Sequence, residues 1–124
     1  MKLFETLGNT HTWNDTLFCK TWLSSNVLDR TINYDQTLFC QDETYYYDEI
    51  IVEFGNKLEE TGVSMYTPAL GWFGYLTTYW MYTNEIQPSV FEKYDIDAIL
   101  QDYPVLHTYS IEHAIEEIEE NYHL

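Results

Sequence analysis

Residues 68–83 read PALGWFGYLTTYWMYT, and no charged side chain occurs between residues 61 and 84. A helix that is apolar on all its sides is buried in the interior of a protein. Pro68 suits the first turn of such a helix, because the N–H that proline lacks has no helical partner there. The threonines and glycines of the stretch, and the lack of flanking Lys or Arg, argue against a membrane span. The sequence therefore predicts the central core helix of a soluble domain.

An amphipathic helix is predicted before this central segment. Within residues 43–60, apolar side chains recur at spacings of three and four, which places them on one helical face. These side chains are Tyr47, Ile50, Ile51, Phe54 and Leu58. Acidic side chains fall largely on the other faces of the helix. Gly62 ends the pattern, as glycine commonly does just after a helix.

Two further helices are predicted after the central segment. Pro88 opens the first, which must stop near Tyr103, because Pro104 disfavours helical backbone in the residue before it. Residues 105–109 are then expected to form a short extended linker. Ser110 caps the final amphipathic helix, since its hydroxyl can accept a hydrogen bond from a free N–H of the first turn.

The first 41 residues give weaker signals. Asn14 or Asp15 suits the cap of a short helix, but the run Ser-Ser-Asn at residues 24–26 weakens that helix, and a strand or hairpin stays an alternative. We therefore predict a mainly α fold. It consists of one compact domain over residues 1–124 with four to five helices, and the structure of residues 1–41 stays open, with a small β element as the alternative.

The charge of the chain is large and unevenly placed. The 124 residues include 21 acidic and five basic side chains, a formal net charge of −16. Residues 1–41 hold four acidic and three basic residues (−1), whereas residues 42–124 hold 17 and two (−15). A disordered acidic tail is excluded, because 45% of the residues are hydrophobic and 18% aromatic. Direct binding to nucleic acid or to an anionic membrane surface is disfavoured, because both need clustered Lys and Arg.

Residues with catalytic or metal-binding chemistry are few and scattered. The four histidines and two cysteines form no close-spaced ligand pair, so we expect no metal site and no cofactor. Cys19 and Cys40 each follow Leu-Phe, a context typical of packing, and no nucleophile or phosphate-binding motif is present. We therefore expect no enzyme activity, with a small enzyme that uses a Cys or His such as His107 as an alternative. The first residues lack the apolar run of a secretion signal, so we expect a cytoplasmic protein with reduced thiols.

The last predicted helix carries dense acidic charge. Glu112, Glu116 and Glu120 follow one another at intervals of four, so they lie on one face and repel each other. No Lys stands at a spacing that relieves this repulsion, which indicates that the charge serves a purpose. Solubility is one such purpose, and presenting phosphate-like charge to a basic protein is the other, which we favour. The candidate contact acids are Glu112, Glu116, Glu117, Glu119 and Glu120, together with Asp48, Glu49 and Glu53.

Aromatic contacts are expected beside the acids. Tyr45, Tyr46 and Tyr47 are consecutive, and they cannot all point inward from one helix. Exposed tyrosine provides contact area at low entropic cost, which is why it is frequent in binding surfaces. We therefore predict Tyr45 and Tyr46 as contact aromatics.

The last third of the chain resembles a known group of domains. The segment FEKYDI at residues 91–96, then YPVLHT at 103–108 and the helix at 111–118, is similar to a small family of uncharacterised bacterial domains. That family carries a Tyr-Asp-Val-Leu-His-Thr-like stretch before a terminal amphipathic helix, and here Pro104 replaces its acid. Its members are often encoded beside ADP-ribosyltransferase-like proteins, so the resemblance implies a partner or antitoxin role. Small size and acidity are also similar to phage and mobile-element inhibitors that mimic DNA, such as anti-CRISPR and anti-restriction proteins.

These observations favour a small acidic interaction protein. We expect it to bind and inhibit a basic bacterial protein, either a nuclease or another nucleic-acid-binding protein, as a DNA mimic. One alternative is an antitoxin-like partner that occludes a toxin enzyme such as an ADP-ribosyltransferase. The sequence leaves the identity of the partner and the oligomeric state open.

Overall fold

The computed structural model describes residues 2–33 and 43–124, and of residues 43–45 the backbone alone. This part of the chain is mainly helical, which confirms the predicted fold class. Its elements are α1 (Lys2–Thr10), α2 (Asp15–Leu23), α3 (Asn26–Asn33), α4 (Glu43–Phe54), α5 (Thr67–Asn84), a 3-10 helix (Pro88–Lys93), α6 (Ile96–Gln101), α7 (Tyr103–Leu106) and α8 (Ile111–Asn121). Among the described residues, β pairing is limited to one isolated bridge between Tyr94 and His123.

Residues 2–33 form three short helices, where the sequence left the structure open. Asn14 caps α2, because its side chain accepts a hydrogen bond from the Leu17 N–H at 2.9 Å. Ser25 performs the same role for α3, where its hydroxyl accepts from the Leu28 N–H at 3.1 Å. The strand or hairpin alternative is therefore wrong for residues 2–33. Residues 34–41, to which this alternative also applied, and Cys40 among them, lie outside the described residues.

The helix predicted to run from Pro88 towards Tyr103 is two helices. The backbone of Tyr94 is extended, with φ −103° and ψ 151°, which ends the 3-10 helix. Asp95 then begins α6, because its side chain accepts a hydrogen bond from the Ala98 N–H at 3.1 Å. The short polar side chain of Asp95 thus stabilises a new helix start in the middle of an apolar pattern.

The extended linker predicted for residues 105–109 begins instead as helix. α7 holds Pro104 in its first turn, where the missing N–H leaves no hydrogen bond unmade. The effect of proline on the preceding residue is a preference, and Tyr103 is helical in spite of it. Because of such short elements, the described residues contain nine helices, where the sequence analysis expected four to five for the whole chain.

The central helix α5 packs against α1, α2, α6 and α8. It buries one side, with Leu70, Phe73, Leu76 and Trp80 in the core. The prediction that it is buried all round is wrong, because Tyr75 on the opposite side is 54% exposed. None of the described helices is both long and apolar enough to cross a membrane.

Glu60 ties the loop after α4 to the connection between α1 and α2. Its Oε1 lies 2.6 Å from Nδ1 of His11, and its Oε2 accepts hydrogen bonds from the backbone N–H and the hydroxyl of Thr12. These hydrogen bonds, with that of His11 the strongest, lower the pKa of the Glu60 carboxyl to about 2. The ring of His11 stacks on Trp13 with 4.0 Å between ring centroids, which links this polar cluster to the core.

Candidate interaction surface

The helix α8 presents four glutamates on its solvent side. Ser110 caps the helix by accepting a hydrogen bond from the His113 N–H at 3.1 Å. Ala114, Ile115 and Ile118 are buried, so the opposite side faces solvent. With 100° of rotation per residue, four exposed glutamates fall within about 100° of the helix circumference. We call them the acidic stripe: Glu112, Glu116, Glu119 and Glu120.

The sequence around the acidic stripe is poor in basic residues. Residues 94–124 contain eight acidic residues and no Lys or Arg, and α5 contains no charged residue of either sign. The spacings of three and four within the stripe bring carboxylates to within about 5–6 Å of each other between Cβ atoms. The stripe is therefore a dense negative surface on a rigid helix.

Glu117, which the sequence analysis grouped with these acids, belongs to another side of α8. Its carboxylate accepts a hydrogen bond from Nδ2 of Asn121 at 3.0 Å and lies 3.7 Å from Nε2 of His113. The side chain is only about one-third exposed, at 34%. The side chains of its own helix therefore hold Glu117 beside the stripe.

The far end of α8 is anchored to the α6–α7 junction. The hydroxyl of Tyr122 donates a hydrogen bond to the Asp102 carboxylate at 2.5 Å. Partial burial, together with the negative charge of Asp102, raises the pKa of Tyr122 to about 12. The phenol therefore stays protonated at neutral pH and keeps the end of the helix in place.

An aromatic ring of α5 adjoins the acidic stripe. The hydroxyl of Tyr79 donates a hydrogen bond to Oε1 of Glu112 at 2.7 Å. This bond lowers the pKa of the Glu112 carboxyl and raises that of the Tyr79 phenol. The ring of Tyr79 in turn stacks against that of Tyr75, with 6.3 Å between centroids and 25° between planes. The stripe and the exposed side of α5 are thus one continuous surface.

The exposed side of α5 carries further aromatic rings. Trp72 precedes Tyr75 by three residues and Tyr79 by seven, which places the three on one helical face. Tyr103 of α7 packs edge-on to Trp72 at 5.6 Å and to Tyr66 at 5.9 Å. Tyr66 and Tyr75 are 55% and 54% exposed. We call these five side chains the aromatic face: Tyr66, Trp72, Tyr75, Tyr79 and Tyr103.

The sequence analysis missed the aromatic face. Residues 68–83 were all predicted to be core, because the stretch lacks the charged residues that normally mark the solvent side of a helix. The spacing of the tyrosines was the available signal. Tyr75, Tyr79 and Tyr82 recur at intervals of four and three, and their hydroxyls favour positions that reach water.

The acids of α4 have mainly structural contacts. The Glu53 carboxylate accepts hydrogen bonds from the backbone N–H groups of Asn26 at 2.8 Å and Val27 at 3.2 Å, at the start of α3. Its side chain is only 13% exposed. Glu49 pairs with Arg30 of α3 at 2.9 Å. The prediction of Glu53 as a contact residue is therefore corrected, since its carboxylate oxygens bind backbone N–H groups of α3. Glu49 also connects α4 to α3, through its ion pair with Arg30.

The remaining members of the predicted site differ in exposure. Asp48 is exposed on α4, a helix that packs against α1 and α3, whereas α8 packs against α5. Tyr46 is 7% exposed and belongs to the core, so its prediction as a contact aromatic is wrong. The ring faces inward because consecutive helical residues point in different directions, and Tyr46 lies four residues before the buried Ile50. The side chain of Tyr45 lies outside the described residues.

The groups considered for catalysis make contacts within the fold. Cys19 is a free thiol in the core, and burial, with a smaller contribution from Asp15, raises its pKa. His107 stacks on Tyr103 at 4.4 Å between centroids, and its Nδ1 lies 2.7 Å from the Tyr103 carbonyl oxygen. In the described part of the chain, no group of three or more His, Cys, Asp or Glu residues could hold a metal ion.

Comparison with known protein families, curated proteins and solved structures finds no match to this chain. The resemblance of residues 91–118 to a bacterial family accordingly stays a prediction.

Proposed function

We propose that this protein binds and blocks a basic protein, and that it does so by occupying a cleft that normally holds nucleic acid. The observation that carries the proposal is the acidic stripe of α8, which lies in a segment, residues 94–124, without Lys or Arg. Like charges at helical spacings of three and four repel each other by a few tenths of a kcal/mol per pair. A basic cleft would attract these same carboxylates. That attraction would offset their mutual repulsion and would speed association.

The spacing of the stripe supports the nucleic-acid comparison. Residues 112–120 rise by about 12 Å along the helix axis, at 1.5 Å per residue. The stripe therefore carries on average one carboxylate per about 4 Å of that axis. A strand of double-stranded DNA carries one phosphate charge per about 3.4 Å of its axis. A cleft built for phosphates thus meets a similar linear charge density on α8.

The aromatic face completes the proposed surface. Binding surfaces combine a central set of aromatic side chains with a polar rim. Here Tyr79 donates a hydrogen bond to Glu112, and Tyr75 stacks on the ring of Tyr79. We place the protein in the cytoplasm, where proteins that handle nucleic acid act and where a free thiol such as Cys19 stays reduced. In this proposal the chain acts as a DNA mimic of the anti-CRISPR or anti-restriction kind.

A capture experiment followed by competition tests the proposal. The immobilised chain is exposed to bacterial lysate at about 50 mM salt and eluted at about 500 mM, because salt screens interactions between exposed charges. Each captured protein is purified, and its binding to a DNA duplex is measured with and without the chain. The expected result is a protein that is released by salt and whose DNA binding is inhibited by the chain.

Two sets of variants locate the binding surface. The first replaces Glu112, Glu116, Glu119 and Glu120 by Gln, and the matched control replaces Glu5, Glu59, Glu85 and Glu92, which are also exposed. Both sets remove four negative charges, but only the first is expected to abolish inhibition. If both variants lost inhibition equally, the net charge of the chain would be the cause, and the position of the acidic stripe would not matter. A captured enzyme that binds no nucleic acid and resists salt would contradict the proposal and favour the antitoxin alternative.

A further inference from the structure

The aromatic face has a chemistry of its own beside the charge of α8. Three of its rings lie on α5, which has no charged residue, and two of the five side chains, Tyr66 and Tyr75, are more than half exposed. Proteins rarely leave contiguous apolar surface in water unless it serves an interaction. The Tyr75 ring is held by stacking on Tyr79, whose hydroxyl is fixed by Glu112. A partner would therefore meet rings that are already in position.

The occupant of this corner follows from its charge. A ring face attracts a cation because the aromatic quadrupole is negative above the ring. Glu112 adds a full negative charge beside the rings, and its hydrogen bond with Tyr79 favours the ionised form. A carboxylate offers about four lone-pair positions, so the exposed Glu112 can accept further hydrogen bonds. The corner thus suits a side chain that both stacks on a ring and donates to a carboxylate.

Arginine fits these requirements better than lysine. Its planar guanidinium stacks on aromatic faces and presents several N–H donors in a fixed fork, whereas the lysine ammonium is a compact and strongly hydrated point charge. No Lys or Arg occurs in α5, α7 or α8 of this chain to occupy the position from within these elements. A cation at this corner would then come from the partner, whose basic character is the premise of the proposed function.

We propose that Tyr75, Tyr79 and Glu112 form a receptor for an arginine side chain of the basic partner. The inference rests on the proposed function and adds to it the residue type that the partner places on α5. Tyr75 offers its exposed ring, and Glu112 accepts hydrogen bonds from the guanidinium. Tyr79 positions both groups, because it stacks on Tyr75 and donates a hydrogen bond to Glu112.

Peptide binding tests this inference on the intact chain. Oligo-arginine and oligo-lysine peptides of equal length carry equal charge, so the acidic stripe attracts both, and calorimetry at low salt measures each affinity. We expect oligo-arginine to bind about two- to fivefold more tightly, the range of one exposed cation–π contact. Tyr75→Ala should remove this preference while leaving oligo-lysine binding unchanged. The control is Tyr66→Ala, which removes a similarly exposed ring that packs on Tyr103 of α7, and it should preserve the preference.

The outcomes separate the two proposals. If both peptides bind equally and Tyr75→Ala changes neither affinity, the arginine receptor is wrong and the acidic interaction surface stands. If neither peptide binds at low salt, the acidic surface is not a site for basic proteins and both proposals fail. Chemical-shift changes at Tyr75 and Glu112 on addition of oligo-arginine, measured by NMR, would place the peptide at the corner directly.

Discussion

The phenol of Tyr79 and the carboxylate of Glu112 are joined by a 2.7 Å hydrogen bond that connects the central helix α5 to the acidic helix α8. Neither partner is a core residue, so the bond does not serve to satisfy a buried polar group. Its consequence is geometric, because it fixes one carboxylate of the stripe beside two tyrosine rings. A surface that is organised in this way would lose less entropy on binding the proposed partner.

Tyr79→Phe should return the pKa of Glu112 towards its ordinary value. The hydroxyl favours the ionised carboxylate by donating to it, and phenylalanine removes that donor while keeping the ring. Carboxyl carbon chemical shifts followed by NMR across acidic pH measure the change. Tyr75→Phe is the control, since the hydroxyl hydrogen-bonded to Glu112 is that of Tyr79. An unchanged Glu112 titration in Tyr79→Phe would show that the bond does not form in solution.

Glu53→Ala should destabilise the fold, although Glu53 was predicted to contact a partner. Its carboxylate satisfies two backbone N–H groups at the start of α3, and loss of such a cap costs about 1–2 kcal/mol. Urea unfolding measures the effect. Asp48→Ala removes an exposed acid from the same helix and should change stability by less than about 0.5 kcal/mol. Equal effects of the two substitutions would contradict the capping role.

The cap by Glu53 illustrates where sequence reasoning stops. The periodicity of residues 111–118 and the Ser110 cap were enough to predict α8, because both signals are local. The bond from Glu53 to Asn26 joins residues 27 positions apart, and no local pattern encodes it. The choice of which side of α5 faces water also depends on packing against α1, α2, α6 and α8, because nearly all of its side chains are apolar or small. The aromatic face was not predicted, because α5 lacks a contrast between polar and apolar sides.

Glu60 should make stability fall in acid. Its pKa is about 2 in the folded chain, against an ordinary value of 4.5, so its contribution is complete above about pH 4.5 and is lost as the pH falls towards 2. Because the side chain is 51% exposed, solvent screening limits the contribution to about 1 kcal/mol. Glu60→Gln should therefore lower the free energy of unfolding at about pH 7 and make little difference near pH 2.

The matched control for Glu60 is its neighbour Glu59, which is exposed. Glu59→Gln removes the same charge but none of the hydrogen bonds that Glu60 makes to His11 and Thr12, so it should lower the free energy of unfolding at about pH 7 by less. A Glu60→Gln variant with the same stability deficit at every pH would indicate that the deficit arises from lost packing rather than from ionisation.

Cys19 should be unreactive in the folded chain. Burial raises its pKa, and the thiolate is the form that attacks thiol reagents. In a Cys40→Ser variant, which leaves Cys19 as the single thiol, a thiol reagent at about pH 8 should label the protein only after urea is added. Rapid labelling without urea would favour the alternative of a cysteine-dependent enzyme.

The acidic stripe should reduce the stability of the free protein. Glu116 has like charges at spacings of three and four in Glu112, Glu119 and Glu120, and each such pair costs about 0.2–0.5 kcal/mol. Replacing Glu116, Glu119 and Glu120 by Gln retains the bond between Tyr79 and Glu112 and should stabilise the chain by about 1 kcal/mol at low salt. Because added salt screens the same repulsion, the gain should shrink as salt rises.

Thermal unfolding of three proteins at low and high salt checks this stability difference. The control, with Gln at Glu5, Glu59 and Glu92, has the same net charge as the stripe variant, but its exposed acids lie on three different elements or loops. It should gain less stability at low salt, since only general charge repulsion is relieved. If the stripe variant is more stable yet loses the captured basic partner, the charge of α8 is retained for binding at the expense of stability. If both variants gain equally, local repulsion within α8 is not the cause, and the solubility interpretation of the charge becomes the better one.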